Sequence, residues 1–197
     1  MGAWPELRTE RLVLRGWTPE DRVALAAVNS DKRVMEFIGD PMTRGQSDEM
    51  ADRIEAKFAQ QGFGFWAVEV AGIAPFVGFV GLNAPTFDAP FMPAVEIGWR
   101  LGADFWGEGY ASEAARRALD YGFYVALLDE IVAFTTVRNV RSRRVMERIG
   151  MTHDPRDDFD HPAVPVGSPL RPHVLYRIAE AAVGGHARQA LRADGAM

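Results

Sequence analysis

The sequence predicts a single α/β domain, with a sheet of about seven strands flanked by about four helices. Three observations carry this. Short β-rich or alternating runs recur along the chain between runs with helical spacing. A length of 197 residues corresponds to one domain at roughly 100–200 residues each, enough to bury about 70% of the unfolded chain's surface without metal or disulfide staples. Ala111, Ala114, Ala115, Ala118 and Gly122 form a small-residue stripe on one predicted helix, as close approach to a sheet requires.

The alternation in 11–15 predicts the first strand. Thr18, Pro19, Glu20 and Asp21 then supply an N-cap, a first-turn proline and early acids for a helix over 19–29. Met50, Ile54 and Phe58, spaced by four, predict a helix over 46–61 that ends at Gly62. Residues 65–70 and 76–82 form a hairpin across the turn at 71–75, and the prolines and aromatics of 84–93 form a loop. A strand over 95–101 leads through the turn at 102–109 into a helix over 111–125. A strand over 131–137 follows, then a helix over 140–149 stopped by Gly150, and a final strand pair at 151–153 and 173–178. Between that pair, 154–172 is a long loop rich in Asp and Pro, and loops of this length are commonly functional or disordered. The domain is expected over 1–181, with 182–197 a peripheral or flexible tail.

Composition excludes several chemistries. With no cysteine, disulfides, thiolate metal sites and cysteine acyl-enzymes are ruled out. No GxSxG elbow or HExxH pair is present, and no metal is expected. A formal charge of −5 argues against a chain whose whole surface binds nucleic acid. Neither a signal peptide nor an apolar run long enough to span a membrane is evident, so the expected location is cytoplasmic.

Two motifs can carry chemistry. The stretch Trp106, Gly107, Glu108, Gly109, Tyr110, Ala111, Ser112 joins a strand to a helix, and glycines there let an anion approach the free N–H groups of the helix start. It can equally be a turn that binds nothing, and it lacks the third glycine of a dinucleotide fingerprint. In the second motif, Asn139 opens a helix on which Ser142, Val145, Met146 and Ile149 share one stripe. Asn139 is by default an N-cap. Arg138, Arg141, Arg143, Arg144 and Arg148 make this stretch basic, as a solvated face or a phosphate clamp.

In order and spacing, the strand at 95–101, the Gly107-x-Gly109-x-Ala111 turn, Asn139-x-x-Ser142 and Gly150-Met151 resemble the GNAT superfamily of acetyl-CoA-dependent N-acetyltransferases. The resemblance covers residues 8–180. The wording around Glu96, Trp106 and Asn139 looks most like the RimJ/RimL branch, which acetylates protein N-terminal amines. It implies a mixed sheet split into a V between 95–101 and 131–137, with acetyl-CoA in the cleft. By the family pattern, backbone N–H groups of about Gly107 to Ser112 hold the pyrophosphate, the backbone of Leu101 pairs with the pantetheine arm, and Asn139 contacts the pantetheine or adenine side; Trp106 and Arg144 are expected among the cofactor contacts beside them. A homodimer is also implied. Two departures stand out: Trp106 replaces a polar residue at the head of the pyrophosphate loop, and Met146 replaces the tyrosine many members use to protonate the leaving thiolate. Ser142, one turn earlier, is the remaining acid.

Transfer to nitrogen needs the neutral amine, and an α-amino group has a pKa near 8. Glu96 matches the strand glutamate that serves as base in some members; otherwise it is a structural acid. Asp158, Asp160 and His161 in the long loop, with Asp157, form a second set able to attract a cationic substrate, or a solvated acidic loop. His173 can be a structural histidine. The expected reaction is direct acetyl transfer in a ternary complex to a protein N-terminal amine. A small-molecule amine, such as a polyamine, amino acid or antibiotic, is the alternative acceptor, and a non-catalytic acyl-CoA-binding module is the alternative class.

Overall fold

The computed structural model describes residues 4–180, so the expected tail at 182–197 lies outside the described residues. The chain runs β1 (Leu7–Arg8), β2 (Leu12–Arg15), α1 (Asp21–Ser30), α2 (Lys32–Met35), α3 (Arg44–Gln61), β3 (Phe65–Val70), β4 (Ala74–Asn83) and β5 (Glu96–Leu101). It continues with α4 (Tyr110–Tyr124), β6 (Glu130–Thr136), α5 (Val140–Arg148), β7 (Thr152–His153), β8 (Phe159–Asp160) and β9 (Pro172–Ala179). The strands form one mixed sheet in the order β1-β2-β3-β4-β5-β6-β9-β7, with β8 beside β9. Among the described residues, no helix is long and apolar enough to cross a membrane.

Among the described residues, nine strands and five helices exceed the expected seven and four. The additions are β1, α2 and β8, each two to four residues long, too short to carry a hydrophobic period. The 154–172 loop is correspondingly more ordered than expected: a 3₁₀ turn spans Pro155–Asp157 and β8 pairs with the start of β9. The first helix also begins two residues late. Thr18 caps with its carbonyl, which accepts from Asp21 N–H at 3.2 Å, while the buried Asp21 carboxylate accepts from Thr18 N–H at 2.8 Å.

The sheet is covered on both faces. On one, α4 buries Ala114, Ala115, Ala118 and Leu119 against Leu82, Ile97 and Ile131, joined by Met146 of α5. The stripe is as tight as its composition implies, since a Cβ at Gly122 would lie 2.6 Å from Ile131 Cδ1. On the other face, Leu25 of α1 and Ala51 of α3 pack on Ala67, Phe76 and Phe79. α3 is held at its start by a reciprocal capping box between Thr43 and Gln46.

The parallel strands β5 and β6 are registered at one pair, Glu96 with Val132, where Val132 N–H donates to Val95 O at 2.9 Å. No further pair is registered between them. The sheet therefore opens toward the C-terminal ends of both strands, and Glu96 stands at the vertex.

Candidate active site

A cleft of about 520 Å³ lies where the sheet opens, bounded by the end of β5, the start of α4, the first turns of α5 and, from across, α2. Because Val95 O points to β6, strand alternation turns the backbone of Ile97, Trp99 and Leu101 to the same open edge. Leu101 O, however, accepts from Trp106 Nε1–H at 3.0 Å. The Leu101 N–H is therefore the freer of its two backbone groups for an incoming chain, its carbonyl keeping one further acceptor position.

The α4 wall is built by backbone. Gly107 and Gly109 hold φ of +90° and +84°, conformations that cost other residues steric strain. Gly109 occupies the N-cap position with no side-chain cap, so the first-turn N–H groups of Tyr110, Ala111 and Ser112 are left for a ligand. Tyr110 and Ser112 are buried. Glu108 instead exposes its side chain and does not line the cleft, since the glycines on either side turn the chain outward. Arg144, Arg148 and Arg141 line the mouth, with the Arg141 guanidinium 4.6 Å from the Trp106 ring centroid. Arg33 of α2 faces them, paired to Asp31 at 2.7 Å and Asp104 at 3.0 Å.

Asn139 caps α5: its Oδ1 accepts from Ser142 N–H at 3.2 Å, and its Nδ2 donates to Thr135 Oγ1 at 3.1 Å. Each end of the amide retains a second hydrogen-bonding position, so capping and ligand contact are compatible. Ser142 is half-buried and lines the cleft, and its hydroxyl has no partner among the described residues. Met146 is turned into the core. Free N–H groups at a helix start, arginines at the mouth and apolar surface from Trp99, Phe105 and Val145 fit a linked diphosphate on a long, partly apolar arm.

The opposite face carries different chemistry. Glu96 Oε1 accepts from Asn83 Nδ2–H at 2.6 Å, and Asn83 Oδ1 accepts from Lys57 Nζ at 2.7 Å. Burial pushes the Glu96 carboxyl up to about 7, against the opposing effects of the Asn83 hydrogen bond and the Lys57 charge. A carboxylate titrating there is suited to accept a proton at neutral pH.

The pairing of Glu96 with Val132 puts Val132, Phe134 and Thr136 on the same face as Glu96. Phe134 belongs to a half-buried aromatic patch with Phe87, Phe91, Phe159, His161 and His173, in which Phe87 and His161 centroids lie 4.5 Å apart and those of His161 and His173 5.0 Å. Burial lowers the pKa of both histidines, favouring the neutral ring. His161 thus joins the Glu96 face through ring contacts. The aspartates do not offer free carboxylates: Asp158 pairs with His153 at 2.7 Å, Asp160 with Arg171 at 3.2 Å and Asp157 with Arg177 at 2.7 Å. The loop aspartates singled out from sequence are thus each engaged by a neighbouring basic side chain.

Of the residues singled out from sequence, Leu101, Trp106, Gly107, Gly109, Tyr110, Ala111, Ser112, Asn139, Ser142 and Arg144 converge on the cleft. The facing wall was missed: it is formed by Arg33 and Val34 of α2 with Phe37 and Ile38 just after it, and a four-residue helix leaves no periodic trace. Arg100, Lys57 and Asn83 carry no local signal that would single them out.

Residues 11–152 match the family model described as an acetyltransferase (GNAT) domain. The chain is 33% identical over 158 residues to FsC-acetyl coenzyme A-N(2)-transacetylase of Aspergillus fumigatus, covering 77% of this chain and 66% of that protein. It is 29% identical over 175 residues to the uncharacterized N-acetyltransferase YnaD of Bacillus subtilis, covering 88% and 96%. Among solved structures, a GNAT-family acetyltransferase from Bacillus anthracis superposes with a TM-score of 0.73 at 29% identity, covering 90% of this chain and 99% of that one.

Proposed function

The chain belongs to the GNAT acetyltransferase family and is an acetyl-CoA-dependent N-acetyltransferase, and from that premise we propose that it acetylates a primary amine directly, in a ternary complex, with Glu96 as general base. The observation that carries this reading is Glu96 itself: it stands at the vertex of the opened strands, is held by Asn83, and is tuned by burial to about 7.

Acetyl-CoA supplies the acetyl thioester whose carbon–sulfur bond breaks as the amine nitrogen bonds to the carbonyl carbon. Glu96 takes the amine's proton, directly or through one water. Its Oε1 is engaged by Asn83, so the proton goes to the free lone pairs, chiefly those of Oε2. Ser142, on the cleft wall with a free hydroxyl, supplies the proton that the departing thiolate takes up. The first-turn N–H groups at Tyr110 to Ser112, with Arg144, hold the phosphates, and Asn139 and the Leu101 N–H line the path of the pantetheine arm. Positioning of this kind is itself a large part of catalysis in acyl transfer.

The acceptor we propose is a protein N-terminal amine, as in the RimJ/RimL branch. Support comes from the Glu96-Ile97-Gly98-Trp99 and Trp106-Gly107-x-Gly109-Tyr110 wording, and from the loop aspartates, whose pairing with His153, Arg171 and Arg177 competes with any polycation for them. Initial rates with acetyl-CoA and acceptor both varied test the mechanism. Intersecting double-reciprocal lines are expected, and parallel lines would overturn it.

A further inference from the structure

Arg100 differs from several other half-buried arginines of this protein in having no carboxylate partner. Arg15 pairs with Asp21 at 2.7 Å and with Glu69, Arg22 with Asp52 and Glu55, and Arg177 with Glu130 and Asp157. Among the described residues, no carboxylate pairs with Arg100. Its guanidinium lies 5.5 Å from the Phe79 ring centroid. Nη1 donates to Asn29 Oδ1 at 2.6 Å and approaches Met50 Sδ at 3.6 Å, while Nε is buried without an acceptor. Asn29 is itself fully buried and anchored, its Nδ2 donating to Ser47 Oγ at 2.9 Å.

A buried cation held by one neutral amide is costly, because buried charges are ordinarily paired. Burial lowers the Arg100 pKa to about 10, which still leaves it charged at neutral pH. The charge lines the cleft beside Val34, Phe37 and Ile38, and alternation along β5 puts it on the same strand face as Glu96. The diphosphate's needs are met elsewhere, by the α4 turn and the arginines of α5. An anion at Arg100 therefore belongs to the acceptor.

We propose that Arg100, positioned by Asn29 and Ser47, recognises a carboxylate carried by the amine acceptor, so that the preferred substrates are amines with an acidic group further along the same molecule. This rests on the acetyl-transfer reading above and narrows its acceptor. The carboxylate can come from an amino acid or from an acidic residue near a peptide's N-terminus, and the guanidinium fits either.

The test uses matched probes that differ only by carboxylate against carboxamide. One arm takes ω-amino acids of increasing length, and the other takes peptides beginning with Asp or Glu against Asn or Gln. Rates are measured with acetyl-CoA, and binding of the N-acetylated forms to the protein–CoA complex is measured by calorimetry. The wild type is expected to favour the carboxylate by at least ~10-fold in kcat/KM, the scale of a charged hydrogen bond. The arm that shows the preference identifies the source.

Arg100→Gln should collapse the ratio toward one. Asn29→Asp, nearly isosteric, should do so as well by giving the guanidinium an internal partner, and it keeps the test intact if Arg100→Gln fails to fold. Equal treatment of the two forms by the wild type, no binding of any carboxylate probe, or a preference that survives both substitutions overturns the proposal. So does a loss of acetyl-CoA affinity in place of the acceptor effect. Ping-pong kinetics would overturn the direct-transfer reading while leaving a measured carboxylate preference standing.

Discussion

The two faces of the sheet around the site are built by opposite means. Toward α4 and α5, the binding groups are backbone N–H groups released by two left-handed glycines, plus arginines on exposed helix positions. All of these lie between Leu101 and Arg148. On the Glu96 face the groups are side chains, each held by a residue far away in sequence: Glu96 by Asn83 and Lys57, and Arg100 by Asn29 and Ser47. Backbone recognition tolerates change in side chains and suits a co-substrate common to many enzymes. Side-chain recognition can be altered one residue at a time, and here it is concentrated where acceptors would differ.

If this division holds, substitutions on the two sides separate by what they change. The largest effect is expected for Glu96→Gln, which should lower kcat at neutral pH by roughly 10²–10⁴-fold and leave the acetyl-CoA Kd unchanged. Activity should partly return at high pH, where the amine is already neutral. In the wild type kcat/KM should rise with pH through about 7, as the carboxylate forms, and the variant's profile should lack that inflection. Loss of acetyl-CoA affinity instead would break the comparison.

The same carboxyl predicts a stability effect of opposite sign. A folded-state pKa raised from about 4.3 to about 7 favours the folded state at low pH, and that contribution is lost as pH rises through the folded value. Denaturation midpoints measured at pH 5 and pH 8 should differ less in Glu96→Gln than in the wild type.

Ser142→Ala comes next. It should slow turnover by up to about 10²-fold, the lower end of acid–base assistance, with the acetyl-CoA Kd nearly constant. A fall in affinity alone would move Ser142 from chemistry to binding.

Gly109→Val strains a residue at φ +84° by about 1–2 kcal/mol. Calorimetry should show acetyl-CoA binding weakened by roughly 5–30-fold, the factor that 1–2 kcal/mol represents, with kcat at saturation changed little. The smallest effect is expected for Lys57→Met, which removes a charge that lowers the Glu96 pKa. The inflection in kcat/KM should shift to higher pH while the limiting rate is nearly preserved, and an unshifted profile would detach Lys57 from the site.

Much of the fold was legible because long elements repeat their pattern. The β3 strand at Phe65–Val70 matches its sequence reading residue for residue, and the reading of 111–125 as a helix is offset by one residue from α4. The elements left unread, β1, α2 and β8, are too short for a period to accumulate. For the loop at 154–172, the sequence displayed its aspartates, but their partners Arg177, Arg171 and His153 lie on β9, just before it and on β7. Composition therefore suggested free acids where the fold made ion pairs.

The cofactor side was likewise legible for a physical reason: a glycine turn opening a helix is a local backbone event, and its consequence for an anion follows from adjacent residues. The sequence by itself determined the alternation of strands and helices, the absence of cysteine chemistry and the turn from Gly107 to Ser112. Only the tertiary structure decided that Trp106 closes on the Leu101 carbonyl, that burial brings Glu96 to a titrating range near neutrality, and that Arg100 is left without a counter-ion. The last two depend on desolvation and on partners that meet only when α1 and α3 pack over one face of the sheet beside β4. No local pattern encodes such meetings.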